Sequence, residues 1–127
     1  MKSATPIAVV GFACAFPKAF DTDTFWQNIM GKSDAIDDVP PHRWIAPLGH
    51  MLSPQLQPDK AYARKACLID SFSLDPSGLE LDAALLADLD PLYRLVLHAG
   101  RDAMARAKTA TIDGNRVGCI LAAIALP

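Results

Sequence analysis

Between Asp90 and Lys108 the apolar residues Leu92, Leu95, Val96, Ala99 and Ala103 recur at three- and four-residue steps, while Arg94, Arg101, Asp102 and Arg106 fall mostly elsewhere on the wheel. The spacing predicts a helix over 91–107. Asp90 is placed to cap it, because its carboxylate can accept from free backbone N–H groups of the first turn, and Pro91 sits where a missing N–H costs nothing. A helix of this length is marginal alone. Burying each Leu or Val of the stripe contributes about 1.5–3 kcal/mol, so the stripe calls for an apolar surface beneath it. Two segments can supply one, PIAVVGFA near the start and RVGCILAAIAL near the end.

Both segments are short apolar runs without polar alternation, the pattern of a strand covered on two faces in a parallel sheet. They predict strands near 7–13 and 117–126, the second after a turn at Asp113-Gly114-Asn115. DTDTFWQNIMGKS opens with residues able to cap and gathers Phe25, Trp26, Ile29 and Met30 on one side; it predicts a helix near 22–31 that stops at Gly31. From Ser33 to Ser77 the prolines at 40, 41, 47, 54 and 58 break any long element. An excursion of turns is expected there, with a short β-ribbon near Tyr62 to Ile69. Leu79 to Leu89 predicts a loose helical turn or two. Strand, crossover helices and strand make a right-handed βαβ arrangement. Two inner strands do not make a stable sheet, so the pattern reads as a piece of a larger domain.

With 127 residues, 51% of them hydrophobic, a core is intended. The net charge of −2, with acids and bases interspersed, gives no footprint for nucleic acid or an anionic membrane. No run is long enough to span a bilayer. The apolar N-terminal run imitates a short secretory signal, but one basic residue precedes it, Pro6 opens it, and the β-branched IAVV ending in Gly11 suits a strand. Cys14, Cys67 and Cys119 are odd in number and belong to no CxxC or Cys/His cluster, which points to free thiols in a reducing, cytoplasmic setting and to no zinc.

The ordered segments PIAVVGFACAFP, DTFWQNIMGKSDAIDDVPPHRW, KAYARKACLID, Leu74 to Pro76, LDPLYRLVLHAGRDAM and RVGCILA resemble the N-terminal part of a β-ketoacyl synthase. More narrowly they are similar to ketosynthase domains of polyketide and polyunsaturated-fatty-acid synthases. Phe25-Trp26 with Gly31, VPPHRW, and Asp90-Pro91 with Arg94 carry the likeness best. The chain departs from the family at Leu92-Tyr93, where two glutamines are usual, at His98, where glutamate is usual, and at Ala66-Cys67, where two glycines are usual.

The resemblance implies an α/β, incomplete thiolase-like fold, with residues 1–127 an N-terminal fragment of a single ketosynthase domain. It implies a decarboxylative Claisen condensation in the parent domain, with the acyl chain on a cysteine and two assisting histidines. It also implies an acyl carrier protein and the remainder of the domain as partners, and a homodimeric parent. The catalytic motifs lie downstream of this sequence, so no catalytic, cofactor-binding or metal-binding residue is expected among the 127. Cys14 follows the first strand rather than sitting at a helix N-terminus that would lower its pKa, and is expected to be a structural thiol. Cys67 and Cys119 have no base nearby in sequence. His98 falls one turn after Arg94 and one before Asp102, and the three are expected to share a hydrogen-bonded face. His42 and His50 lack metal-ligand spacing. GFACAF lacks the further glycines of a dinucleotide site. Gly100, inside the long helix, costs about 1 kcal/mol against Ala unless close packing requires it. The alternative to a scaffold section is a non-catalytic, ketosynthase-derived interaction module that docks through an exposed sheet face.

Overall fold

The computed structural model describes residues 6–107 and 113–124. Helix α1 covers Thr22–Met30, and its start is fixed by Asp21. One carboxylate oxygen accepts from the amides of Asp23 (2.9 Å) and Thr24 (2.8 Å), while the other accepts from the Thr24 hydroxyl (2.7 Å). These are the donors that a helix N-terminus otherwise leaves without partners. The Thr24 hydroxyl foremost, and then its amide, hold the Asp21 carboxyl below the usual carboxylate range, against a smaller opposing effect of burial. A lowered folded value means that the cap contributes fully above about pH 4, the unfolded value, and is lost as the pH falls through the folded one. Asp21→Ala is therefore expected to lower helicity at neutral pH. Followed by far-UV circular dichroism, its difference from the wild type should vanish on acidification; a difference that persists in acid would place the effect elsewhere.

The segment 32–82 is the expected excursion. Strand β1 (Asp37–Asp38) pairs antiparallel with β2 (Lys65–Ala66), Asp37 opposite Ala66 and Asp38 opposite Lys65. The ribbon near Tyr62 to Ile69 is thus present, and its partner is an Asp-Asp pair that no β-propensity marks. Between the strands lie a 3₁₀ turn at Pro41–Arg43 and a single-turn helix α2, Leu48–Met51. The Trp44 indole N–H ties this lobe back to the Val39 carbonyl at 3.2 Å. Helix α3 (Ala83–Asp88) is capped by Asp82, which accepts from Ala84 and Leu85. Helix α4 (Pro91–Arg106) starts where the sequence places it, with Asp90 accepting from Leu92 at 2.8 Å. A short 3₁₀ turn, Gly114–Arg116, realises the turn expected after it.

The expected parallel strand pair is not formed. Residues 6–15 and 117–124 carry no strand, and the described part of each exchanges no ladder hydrogen bonds with the other. Residues 125 and 126 of the second expected strand lie outside the described residues. Ile7 is 96% exposed and Ile120 97%. An inner strand needs backbone partners on both edges and apolar cover on both faces, and the described residues offer these two segments neither.

What does hold the first segment is α4. A Cβ built on Gly11 would collide with the Ala103 carbonyl oxygen and lie 2.9 Å from the Ala107 nitrogen, so only glycine lets the backbone come this close. Gly100 differs, since a Cβ there meets nothing within 4 Å and the expected close packing on strands is absent. Among the described residues, Ala19 and Leu86 are the buried apolar ones. The chain exposes 10850 Å² at a mass of 13.6 kDa. A compact monomer of that mass exposes about 6,600 Å². The helices and turns are therefore in place while the apolar surface that they would share in a closed core stays open.

Candidate functional site

Several contacts between residues distant in the chain gather around the turn before α1 and along α4. Phe16 and Ala19 exchange backbone hydrogen bonds of 2.7 and 3.0 Å around a tight turn that puts Lys18 at φ 61°. Lys18 is held there by its own ammonium, which donates to the Asp34 carbonyl (3.2 Å) and pairs with Asp37 (2.8 Å). The hydrogen bond that Lys18 donates to Asp37 raises the Lys18 pKa, and the same contact lowers that of Asp37. Both groups are solvated, so the pair orients the loop more than it stabilises the fold.

The His98 and Phe72 rings meet in a T-shaped contact, with centroids 5.3 Å apart, and Phe72 in turn meets Phe20 at 5.2 Å. His98 Nε2 lies 2.6 Å from the Phe20 carbonyl oxygen. A carbonyl can only accept, so Nε2 carries the proton and donates. Asp102 stands 3.8 Å from the same nitrogen. Arg94 does not join them; it donates to the Leu89 carbonyl at 3.0 Å, so the expected three-residue face is a His98–Asp102 pair. Arg101 reaches the Asp102 carboxylate through Nε at 3.5 Å and donates through its guanidinium to the carbonyls of Asp75 (2.7 Å) and Ser77 (2.9 Å), tying the loop before α3 to α4. These two anchors escape sequence reading, since their partners are backbone carbonyls far away in the chain.

Three clefts flank these contacts. Phe12, Cys14, Phe16, Phe25, Trp26 and Arg106 line an aromatic cavity of about 460 Å³ at the end of α4. Val96, Gly100, Met104, Cys119 and Leu121 line an open apolar groove of about 580 Å³ along the same helix. Arg43, Cys67, Phe72, Arg94 and Leu95 border the third. None brings a thiol, a histidine and an oxyanion donor together. Burial pushes the Cys14 thiol up, the Asp21 carboxylate adds to this, and Arg106 only partly opposes it. That is the environment of an inert thiol rather than of a nucleophile. Cys67 and Cys119 are exposed and free, and His42 and His50 stand on exposed turns. No group of three or more metal-ligating side chains occurs among the described residues.

The model of the β-ketoacyl synthase N-terminal domain matches residues 4–125. The chain belongs to the β-ketoacyl synthase family. Similar proteins include the PKS-NRPS hybrid synthetase acdB of Aspergillus candidus, 32% identical over 91% of this chain and 5% of that protein. Polyketide synthase ThaG of Burkholderia thailandensis is also 32% identical, over 91% of this chain and 2% of its own length. Among solved structures, the oxazolomycin ketosynthase domain OzmH KS7 of Streptomyces albus JA3453 superposes with a TM-score of 0.57 at 31% identity, covering 77% of this chain and 17% of that one. The family resemblance in the sequence and the thiolase-like fold class are therefore both correct, although the two apolar segments are not assembled into the parallel pair. The β-ketoacyl synthase section seen here spans only a small part of the relatives that it matches.

Proposed function

We propose that this chain is the N-terminal scaffold section of a ketosynthase domain that performs decarboxylative Claisen condensation in a polyketide or polyunsaturated-fatty-acid synthase. Residues 1–127 form one such section, with no catalytic, cofactor-binding or metal-binding side chain of their own. The family match over residues 4–125 carries this reading. In the parent domain a thiolate accepts the acyl chain, malonyl on an acyl carrier protein loses CO₂, and the resulting carbanion attacks the acyl thioester and expels the thiolate. The thiolate is thus regenerated and the lengthened chain stays on the carrier. The present section contributes the α1 and α4 framework on which the rest of the domain packs. The parent is a cytoplasmic homodimer; no described helix is long and apolar enough to cross a membrane.

The test is a condensation assay of the 127-residue chain with acyl- and malonyl-loaded carrier proteins. No turnover above the protein-free control is expected. Product formation that disappears on Cys14→Ser would overturn the assignment of Cys14 as structural. A second reading, a ketosynthase-derived interaction module, is favoured by the open apolar surface on residues 7–12 and 117–124. It predicts stable capture of a folded partner by the isolated chain, whereas the scaffold reading predicts productive association only with the remaining portion of a ketosynthase domain.

A further inference from the structure

The cleft between the 67–72 segment and the start of α4 is bordered by two guanidiniums that lack a counter-charge among the described residues. Arg64, Arg101 and Arg106 each meet a carboxylate. Arg43 and Arg94 take part in none of the ion pairs of the described residues, and both border this cleft. Arg94 is half-buried and donates through Nε to the Leu89 carbonyl at 3.0 Å, while its terminal nitrogens make no hydrogen bond among the described residues. A guanidinium drawn partly out of water without an anion beside it is unfavourable, and an anion entering the cleft removes that cost.

The rest of the lining sets the kind of anion. Asp70, which is exposed, is the carboxylate that borders the cleft, so two positive charges stand against one negative charge and a single further negative charge balances them. Leu68, Phe72 and Leu95 supply an apolar wall, and the volume of about 440 Å³ falls within the roughly 300–1,000 Å³ of small-molecule sites. A guanidinium fork matches the two oxygens of a carboxylate. We propose that this cleft binds a small monocarboxylate with an apolar body, its carboxylate held by Arg43 and Arg94 and its body against Leu68, Phe72 and Leu95. The site binds without reacting and stands apart from the scaffold role.

The exposed Cys67 borders the same cleft and reports its occupancy, with the exposed Cys119 as the reference. The test follows labelling of both thiols by a neutral reagent in the 127-residue chain as benzoate is raised. Saturable slowing at Cys67 alone is expected. Acetate, which lacks the body, and benzyl alcohol, which lacks the charge, should protect at least fivefold less well, and phenyl phosphate, with a second negative charge facing Asp70, less well than benzoate. Arg43→Gln should raise the half-protecting benzoate concentration by about tenfold, the loss of one charge-assisted hydrogen bond. Asp70→Asn should lower it by about threefold, since it removes a like charge exposed to water. That gain cannot come from a chain that has lost its fold. A Cys67 rate indifferent to benzoate overturns the proposal, as does equal slowing of Cys119. Protection by benzyl alcohol or phenyl phosphate that matches benzoate overturns it, and so does protection unchanged in both variants.

Discussion

Valine in place of Gly11 is expected to raise the labelling rate of Cys14 by a thiol reagent roughly tenfold, with Cys67 and Cys119 unaffected. The added side chain has nowhere to go. Its Cβ would meet the Ala103 carbonyl and the Ala107 nitrogen, backbone atoms of the last turn of α4 and of the residue that caps it, so residues 9–14 must lift away or α4 must give. Overpacking of this kind costs about 1–3 kcal/mol, which is of the order needed to populate an opened N-terminal segment. Cys14 reports the opening because it lines the cavity at the same end of α4, beside Phe12 and Arg106. Two effects act in the same direction there. Lifting the segment removes the steric cover, and it also removes the burial that raises the thiol pKa, so more thiolate forms at a given pH. The exposed Cys67 and Cys119 serve as internal references, read out by mass spectrometry of labelled peptides. Gly100→Ala supplies the control. With nothing near its Cβ, it should stabilise α4 by about 1 kcal/mol and leave Cys14 labelling no faster than in the wild type. Unchanged Cys14 labelling in Gly11→Val would show that the segment is not held by α4.

The difference between Gly11 and Gly100 also marks what a sequence of this kind can carry. Helix starts were legible because their causes are local. Asp21 and Asp90 each satisfy amides within three residues, and Pro91 needs no partner at all, whereas the Asp82 cap of α3 is seen only in the structure. The turn at residues 113–116 is equally self-contained, Asp113 accepting from Asn115 at 3.1 Å. Strands are another matter. IAVV and CILAAI have the composition of inner strands, yet a strand exists only in the presence of its neighbours, and the described residues do not provide them. Among the described residues, the one ladder that forms joins Asp37-Asp38 to Lys65-Ala66, where Arg64 reaches Asp38, a pairing invisible until the chain is folded. The family likeness was legible for a different reason. It rests on the order of many short segments, and that order survives whether or not each segment finds its structural partner.

Replacing His98 by leucine is expected to lower the denaturation midpoint by removing about 1–3 kcal/mol, because the Phe20 carbonyl, 2.6 Å from Nε2, is left without its donor in a partly buried setting. This contact spans 78 residues of sequence and joins the turn before α1 to the middle of α4. It holds together the two helices that the local caps only initiate. The His98 side chain is 14% exposed, so water cannot readily replace the lost donor. The aromatic neighbours would accept a leucine of similar bulk, since the Phe72 and His98 rings meet in a T-shaped contact with centroids 5.3 Å apart. The penalty therefore tests the hydrogen bond rather than the packing. Glutamine, which can still donate through its amide, should recover part of the loss. Glutamate, the residue that ketosynthases usually carry at this position, should be worse than leucine here, because its ionised form has no proton to give the carbonyl and faces Asp102 one turn further on. Urea titrations followed by Trp26 and Trp44 fluorescence should thus rank wild type above glutamine, glutamine above leucine and leucine above glutamate. If glutamate equalled the wild type, α4 would sit against the Phe20 turn in the family's usual manner, and the histidine would be a substitution without consequence rather than the tie between the two helices.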